Sequence, residues 1–317
     1  LNADDLNCLK MADHTQATRI AYVTMNPKHE LVRKHIRAGG LAAVLEEGIN
    51  GHMITLYDKG THLPLLWTHL IPATLEGKAL HNVQNAMFAA VMGYAMGVKV
   101  ENIRQGLRTF DTSYFQAPGR LNVFDKLPFK VILDYGHNPA AIQVMSDLCA
   151  KLECTGRRIC VLAGPGDRRD EDIREIAKIA SKTFDYLILR RDDDLRGRGS
   201  EEVPRMMEKE LLANGFPAEK MIVIPDETKA IDHGLKISKR GDLLLVFADK
   251  VSRSWKQVIY FKAEGEEEKP AATATAADSP LPALTVPTGG AFSDSLLSGA
   301  TVIQDERGVR ISKANND

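Results

Sequence analysis

The stretch that decides the fold is residues 131–170, VILDYGHNPAAIQVMSDLCAKLECTGRRICVLAGPGDRRD. Two strand-like runs, 131–135 (with the apolar residues 131–133) and 159–163, enclose a helical pattern at 140–151. A continuous apolar run, unlike an alternating one, is typical of a strand buried on both faces. Strand, helix and strand in this order predict a parallel α/β unit.

The same alternation continues to residue 262. Further strands are predicted at 186–189, 221–224 and 243–247, and helices at 171–183, 204–214, 228–238 and 252–261. We therefore expect an α/β domain over 120–262, Rossmann-like, with a mostly parallel sheet. Ligands of such sheets bind at the carboxyl ends of the strands.

The flanking segments have different patterns. Residues 1–119 predict a strand at 19–25, a helix at 28–38, β-hairpins across 41–70, and helices at 83–96 and 101–110. Residues 263–317 begin with a charge run and an Ala-, Thr- and Pro-rich stretch, which predicts a flexible tail. The β-branched residues near its end, within 300–312, predict a small hairpin or a segment that docks on a partner.

Composition excludes several classes of protein. The 317 residues include 41 Lys+Arg and 42 Asp+Glu, so the net charge of −1 gives no basic field for nucleic acid. No apolar run approaches the ~20 residues of a membrane-spanning helix, and the first residues lack the charged and apolar regions of a signal peptide. Four cysteines without a CxxC pair indicate reduced thiols and a cytoplasmic protein.

Two predicted strand ends carry candidate ligand-binding residues. Asp134 could accept from a ribose hydroxyl and His137 could contact a phosphate or a base, although Asp134 or Asn138 could equally cap the next helix. The Gly-rich turn 164–170 could bind an anion through its backbone N–H groups, with Asp170 as a helix cap in the simpler interpretation.

Two further strand ends are strongly charged. The run 190–199 places three carboxylates, residues 192–194, where they could hold a guanidinium, although such runs are usually solvated loops. Asp249, Lys250 and Arg253 follow the last strand. The candidate substrate-binding residues from these turns are Asp167, Arg169, Asp193, Asp194 and Arg196.

Two amides mark the start of a helix in the first segment. Asn82 and Asn85 lie three residues apart and share one helix face, where they could contact a flat polar ring such as adenine. The alternative is a cap and a packing amide. The sequence contains no GxxxxGK[S/T] loop for ATP phosphates.

Together these motifs resemble the Mur ligase superfamily, which includes the peptidoglycan amino-acid ligases and folylpolyglutamate synthetase. The matching pieces are Leu1-Asn2-Ala3-Asp4-Asp5, His81-Asn82 with Asn85, Pro118-Gly119-Arg120, and Asp134-Tyr135-Gly136-His137-Asn138-Pro139. The resemblance implies an ATP- and Mg²⁺-dependent ligase that forms an acyl phosphate, which an amine then attacks.

The resemblance also implies roles for individual residues. Asn82 and Asn85 would lie near adenine, and Asp134 would hold the ribose. Arg120 would reach the phosphates at an interdomain hinge, and His137 would lie beside the nucleotide. Arg120 and His137 are therefore the catalytic candidates, and no residue is assigned to a metal.

A finer resemblance is to the superfamily members that join arginine to the β-carboxylate of poly-aspartate, a storage polymer. It is carried by residues 134–139, 194–198, 253–257 and 305–310. It implies arginine and a poly-aspartate primer as substrates, a separate ATP-grasp half that adds aspartate, and a homo-oligomer.

The same resemblance places the P-loop N-terminal to Asn2. We therefore expect residues 1–119 to be the second half of a central ATP-binding domain and 120–262 to be a C-terminal lid domain. By itself this chain is expected to be inactive. The alternatives are a non-catalytic nucleotide-binding scaffold, or another Mur-type ligase that acts on folate or peptidoglycan.

Overall fold

A computed structural model describes residues 1–262, 301–305 and 307–312, and the chain divides into two compact units. Leu1–Phe110 and the C-terminal hairpin form the first unit, and the second begins at Asp111. The predicted flexible stretch, from residue 263 to 300, lies outside the described residues. None of the helices described is both long and apolar enough to cross a bilayer.

The first unit is a four-stranded sheet, ordered β1-β2-β3-β4, with helices on both faces. β1 is parallel to β2, and the other pairs are antiparallel. Side chains of β2 alternate between the faces: Ala43 and Leu45 pack towards α3 and α4, and Ala42 and Val44 towards α1 and α2. The elements are α1 Leu6–Met11, β1 Ala21–Thr24, α2 Glu30–Arg37, β2 Leu41–Gly48, β3 Gly51–Asp58, β4 Thr61–Trp67, α3 Leu80–Ala95 and α4 Val100–Thr109.

A hairpin from the end of the chain completes the first unit. Its strands are β11, Thr301–Asp305, and β12, Gly308–Ser312, which pair antiparallel. Val309 and Ile311 are buried in the core that α1 and α2 cover. Nδ1 of the buried His35 accepts the Val309 N–H at 3.0 Å. The far end of the sequence is thus part of the first unit's core.

The second unit is a six-stranded sheet in the order β5-β6-β10-β7-β8-β9. Only β5 is antiparallel to its neighbour, and helices pack against the other strands. The central strand β10 is buried along its whole length. The elements are β5 Asn122–Phe124, β6 Lys130–Asp134, α5 Pro139–Lys151, β7 Arg158–Gly164, α6 Asp170–Ser181, β8 Tyr186–Arg191, α7 Glu202–Ala213, β9 Met221–Val223, α8 Glu227–Ile237, β10 Leu243–Phe247 and α9 Val251–Ile259.

The prediction of an α/β fold with a mostly parallel sheet is confirmed. Each of the five predicted strands of the second unit is present to within two residues. β5 was not predicted, because three residues are too few to show a periodicity. It forms an edge of the sheet and pairs only with β6.

Candidate active site

The ends of four strands meet around one cavity in the second unit. β6, β10, β7 and β8 are neighbouring parallel strands, and the segments that follow them enclose about 250 Å³. The cavity lies at the edge where open α/β sheets bind their ligands. Its lining combines both charges, from His137, Arg168, Arg190, Asp192, Arg196 and Asp249.

The turn after β6 orients the His137 ring through one hydrogen bond. The His137 Nδ1 lies 3.0 Å from the Tyr135 carbonyl oxygen. Because a carbonyl only accepts, Nδ1 carries the proton of this hydrogen bond, and Nε2 is the ring nitrogen that this bond leaves for other partners. Asn138 caps α5 through its side chain, which accepts from the Ala141 N–H at 2.9 Å, with Pro139 in the first turn.

Asp134 organises the same turn. Its carboxylate accepts from the Leu121 N–H at 2.9 Å and from the Gly136 N–H at 2.7 Å, and the residue is buried. The carboxylate therefore joins the segment before β5 to the end of β6.

Arg120 lies in a tight turn beside this strand end. Its guanidinium carbon is 5.6 Å from the centre of the Tyr135 ring, within cation–π range, and the side chain is exposed. Gly119 has φ +74°, and a Cβ there would lie 2.7 Å from the Val251 side chain. The turn that presents Arg120 therefore depends on glycine.

The Asn122 side chain holds this turn in place, and this role was not predicted from the sequence. The fully buried amide accepts from the Gly119 N–H at 2.7 Å and donates to the carbonyls of Thr112 at 2.7 Å and Ala117 at 2.8 Å. The sequence feature that could have indicated this role is an asparagine at the start of an apolar strand.

A buried ion pair lies beneath the cavity, and it too was missed. Arg190 is 1% exposed and Glu227 is 0% exposed. One Arg190 Nη lies 3.1 Å from Glu227 and donates to the Phe247 carbonyl at 2.6 Å. Burial alone would raise the pKa of Glu227, but Arg190, the Ser254 hydroxyl and two backbone N–H groups outweigh it and hold that pKa below its ordinary value.

The three neighbouring aspartates have different environments. Asp192 is buried and lines the cavity, 3.4 Å from Arg190, and burial raises the pKa of its carboxyl group despite that arginine. Asp193 pairs with Arg253 at 2.8 Å, and that hydrogen bond lowers its pKa. Asp194 is exposed and accepts the Arg196 N–H at 3.1 Å.

The Gly-rich turn after β7 is held by arginines of the facing loop. Arg196 pairs with Asp167 at 2.8 Å, and Arg198 donates to the carbonyls of Gly166 and Arg168, both at 2.8 Å. Arg169 is bonded to Asp172 on α6, at 3.0 Å.

The simpler interpretation of this turn, in which Asp170 caps α6, is wrong. Arg169 occupies the N-cap, and no side chain caps that helix. The Asp170 carboxylate instead pairs with Arg198 at 2.8 Å, across the facing loop.

Asn82 and Asn85 lie in the first unit, at the start of α3. The Asn82 amide donates to the Ala73 carbonyl at 2.7 Å and accepts from the Asn85 amide at 3.2 Å. The cap position of this helix is Ala79, so Asn82 is not its cap. Asn85 is exposed.

One group of carboxylates in the described part of the chain is close enough to share a cation. Oxygen atoms of Asp193, Glu227 and Asp249 lie within 4.8 Å of one another. Arg253 lies 2.8 Å from Asp193 and 3.2 Å from Glu227, and Arg190 adds a second positive charge. Asp249 lies 3.8 Å from Lys250. Each of the three carboxylates therefore already has a basic partner, and the group does not fit a divalent metal ion.

The fold and this strand-end cavity define an open α/β domain with a ligand site at the carboxyl ends of its strands. Residues 119–249 match the family described as Mur ligase, glutamate ligase domain. A UDP-N-acetylmuramoyl-L-alanyl-D-glutamate–2,6-diaminopimelate ligase of Aquifex aeolicus is 28% identical over 160 residues, 50% of this chain and 31% of that protein. Residues 119–249 are therefore a Mur ligase C-terminal domain.

More similar proteins align over most of the chain. The cyanophycin synthetase of Trichormus variabilis is 39% identical over 280 residues, 86% of this chain and 30% of that protein. The cyanophycin synthetase of a Nostoc species is 40% identical over 262 residues, 81% of this chain and 28% of that protein. The chain is thus homologous to a Mur-ligase-like portion of cyanophycin synthetase, and it spans less than a third of the length of these relatives.

Proposed function

We propose that this chain is part of an ATP-dependent ligase that joins arginine to the β-carboxylate of aspartate in a poly-aspartate backbone. The similarity to cyanophycin synthetases supports the reaction class. The observation that carries the substrate assignment is the strand-end cavity, in which a buried carboxylate lies among basic side chains. We place the reaction in a reducing cytoplasm, in an enzyme that assembles from several copies and has an ATP-grasp portion.

The reaction has two bond-making steps. When bound, ATP supplies a phosphoryl group to the acceptor carboxylate, which gives an acyl phosphate and ADP. The arginine amine then attacks the acyl carbon, an amide bond forms, and phosphate leaves. His137 lines the cavity with its Nδ1 bonded to the Tyr135 carbonyl, and its Nε2 is the atom that can take the proton that the amine loses.

The nucleotide contacts are assigned as the motifs imply. Asn82 and Asn85 contact adenine, Asp134 holds the ribose, and Arg120 reaches the phosphates, where positive charge stabilises the transferring group. Mg²⁺ accompanies ATP in this chemistry, but the carboxylates of the described chain are not assigned to hold it.

Arginine recognition rests on charge in the cavity. Asp192 is its buried carboxylate, and Asp249 is a second acid in the same lining. A guanidinium can donate two parallel hydrogen bonds to a carboxylate, which favours arginine over lysine. Asp193, Asp194, Asp167, Arg169 and Arg196 form the surrounding charged shell that orients the substrate.

The binding test uses the 317-residue chain and titration calorimetry with L-arginine. We expect Asp192→Asn to weaken binding about 10- to 100-fold, the effect of losing a charge-assisted hydrogen bond of roughly 1.5–3 kcal/mol. Asp125→Asn is the matched control, since that aspartate is exposed and lies in the turn between β5 and β6, at the opposite end of β6 from the cavity. Equal weakening in both variants, or equal affinity for L-lysine, would contradict the assignment.

The activity test measures ATP-dependent incorporation of labelled arginine into a poly-aspartate primer. We expect none from this chain alone, because its sequence contains no GxxxxGK[S/T] loop. Incorporation after addition of the remaining portion of the enzyme supports the ligase. The same lack of a P-loop favours a second candidate, a non-catalytic nucleotide-binding module, which predicts similar affinities for adenosine and ATP and no restoration.

A further inference from the structure

A basic groove lies in the first unit, away from the residues assigned above. It runs between the last turn of α2 and the hairpin strand β11 and encloses about 370 Å³. Lys34, Arg37 and Ala38 form one wall, and Val302, Ile303 and Gln304 form the other. We call it the α2–β11 groove.

The groove carries positive charge without a counter-charge. None of its lining residues is acidic. In the part of the chain that the structure describes, Lys34 and Arg37 make no ion pair, and neither does their neighbour Arg33. Asp305 on β11 is already paired, with Arg307 at 2.9 Å and with Arg310 at 3.2 Å. Glu30, in the first turn of α2, does not line the groove.

Basic residues in the last turn of a helix complement its dipole, which is one reason for their presence on α2. That interaction does not explain why three like charges stay together on one exposed face, where their repulsion is unfavourable. An anionic partner would remove this repulsion.

The opposite wall is formed by β11 together with Val309 of β12. In the described chain β11 pairs only with β12, so its other edge is open to a further strand. Its residues Val302 and Ile303 add apolar surface, and Val302 is 39% exposed. Adding a strand to such an edge is a known way to bind an extended peptide.

The spacing of charges fits an acidic strand. In an extended chain, alternate side chains on one face are roughly 6.6 Å apart. Lys34 and Arg37 are three residues apart on a helix, which sets their Cβ atoms about 5–6 Å apart. Two carboxylates of one strand can therefore pair with the two basic side chains.

We propose that the α2–β11 groove binds an extended acidic polypeptide along the β11 edge. The occupant is the poly-aspartate backbone, an identification that rests on the proposed function. The groove then holds the polymer at a place distinct from the strand-end cavity where arginine is bound.

The test measures binding of a fluorescein-labelled ten-residue poly-aspartate peptide to the 317-residue chain by anisotropy. We expect Lys34→Glu/Arg37→Glu to weaken binding at least tenfold. Lys99→Glu/Arg108→Glu, which makes the same charge change at exposed positions elsewhere in the first unit, should leave binding within about twofold of the parent. Val302→Asp changes the other wall and should also weaken binding.

The outcomes separate this inference from the ligase assignment. The binding assay needs neither ATP nor arginine. Poly-aspartate binding, together with no arginine incorporation after the remaining portion of the enzyme is added, leaves the groove assigned and refutes the ligase function. Equal weakening by the two double variants overturns the groove. Equal affinity for a single-stranded oligonucleotide of the same charge overturns the acidic polypeptide as its occupant.

Discussion

Arg190 and Glu227 show how two residues that are far apart in the sequence, and belong to no common motif, support the cavity. Both are buried, and each satisfies several polar groups at the ends of β8 and β10. A buried ion pair contributes little compared with apolar packing, but removing one partner leaves the other charge uncompensated. The pair therefore makes the floor of the cavity sensitive to conservative substitutions.

Glu227→Gln is expected to lower the free energy of unfolding by about 3–5 kcal/mol at neutral pH, because Arg190 remains buried without its counter-charge. Since the folded-state pKa of Glu227 is lowered, its stabilisation is complete above the ordinary value of 4.5 and is lost as pH falls through the folded value. Urea unfolding at several pH values measures both effects, and the difference between parent and variant should shrink in acid.

Glu201→Gln is the control for that substitution. Glu201 pairs with Arg205 on the surface, at 3.1 Å, with both side chains more than half exposed. Exposed pairs contribute little, so the same titration should show no clear change. A loss of stability as large as that of Glu227→Gln would contradict the buried-pair argument.

At the scale of elements, the apolar patterns of the sequence predicted where the strands lie but not which strands pair with each other. The runs of β6, β7 and β10 are buried on both faces, and this is why the sequence predicted them. The central position of β10 depends on pairing with β6 and β7, over a hundred and over eighty residues away, which no local pattern encodes.

The candidate site, like the fold, was only partly predictable from the sequence. The strand ends were found, because polar residues follow apolar runs. How charge is shared among Asp192, Asp193 and Asp194 was not predictable, since it depends on Arg190 and on Arg253 from α9. A sequence shows which side chains are charged and not which of them are already paired.

The turn before β5 gives a test at this scale. Asn122→Ala removes three hydrogen bonds to the backbone of 112–119 and leaves buried groups unsatisfied, each at about 1–3 kcal/mol. We expect a loss of stability of at least about 2 kcal/mol in urea unfolding. Asn102→Ala, at an exposed position on α4, is the matched control and should be near neutral. Similar losses in both would show that the turn is not held by Asn122.

At the scale of the whole molecule, the chain's two ends share one core. Val309 and Ile311 of the hairpin pack with Leu9 of α1 and Leu31 of α2, nearly three hundred residues earlier in the sequence. The second unit has a separate core around β6, β7 and β10. This arrangement predicts that a substitution in the buried part of the hairpin lowers the stability of the first unit.

Ile311→Ala tests this arrangement. Truncating a buried isoleucine to alanine costs about 2–5 kcal/mol, and the cavity it leaves lies against α1 and α2. Hydrogen exchange followed by mass spectrometry should show faster exchange in β1 and α2, while β7 and β10 keep their protection. Val302→Ala, at a position 39% exposed on β11, should leave both units unchanged. Faster exchange in both units alike would mean that the cores do not respond separately, and unchanged exchange in the first unit would mean that the hairpin adds nothing to its stability.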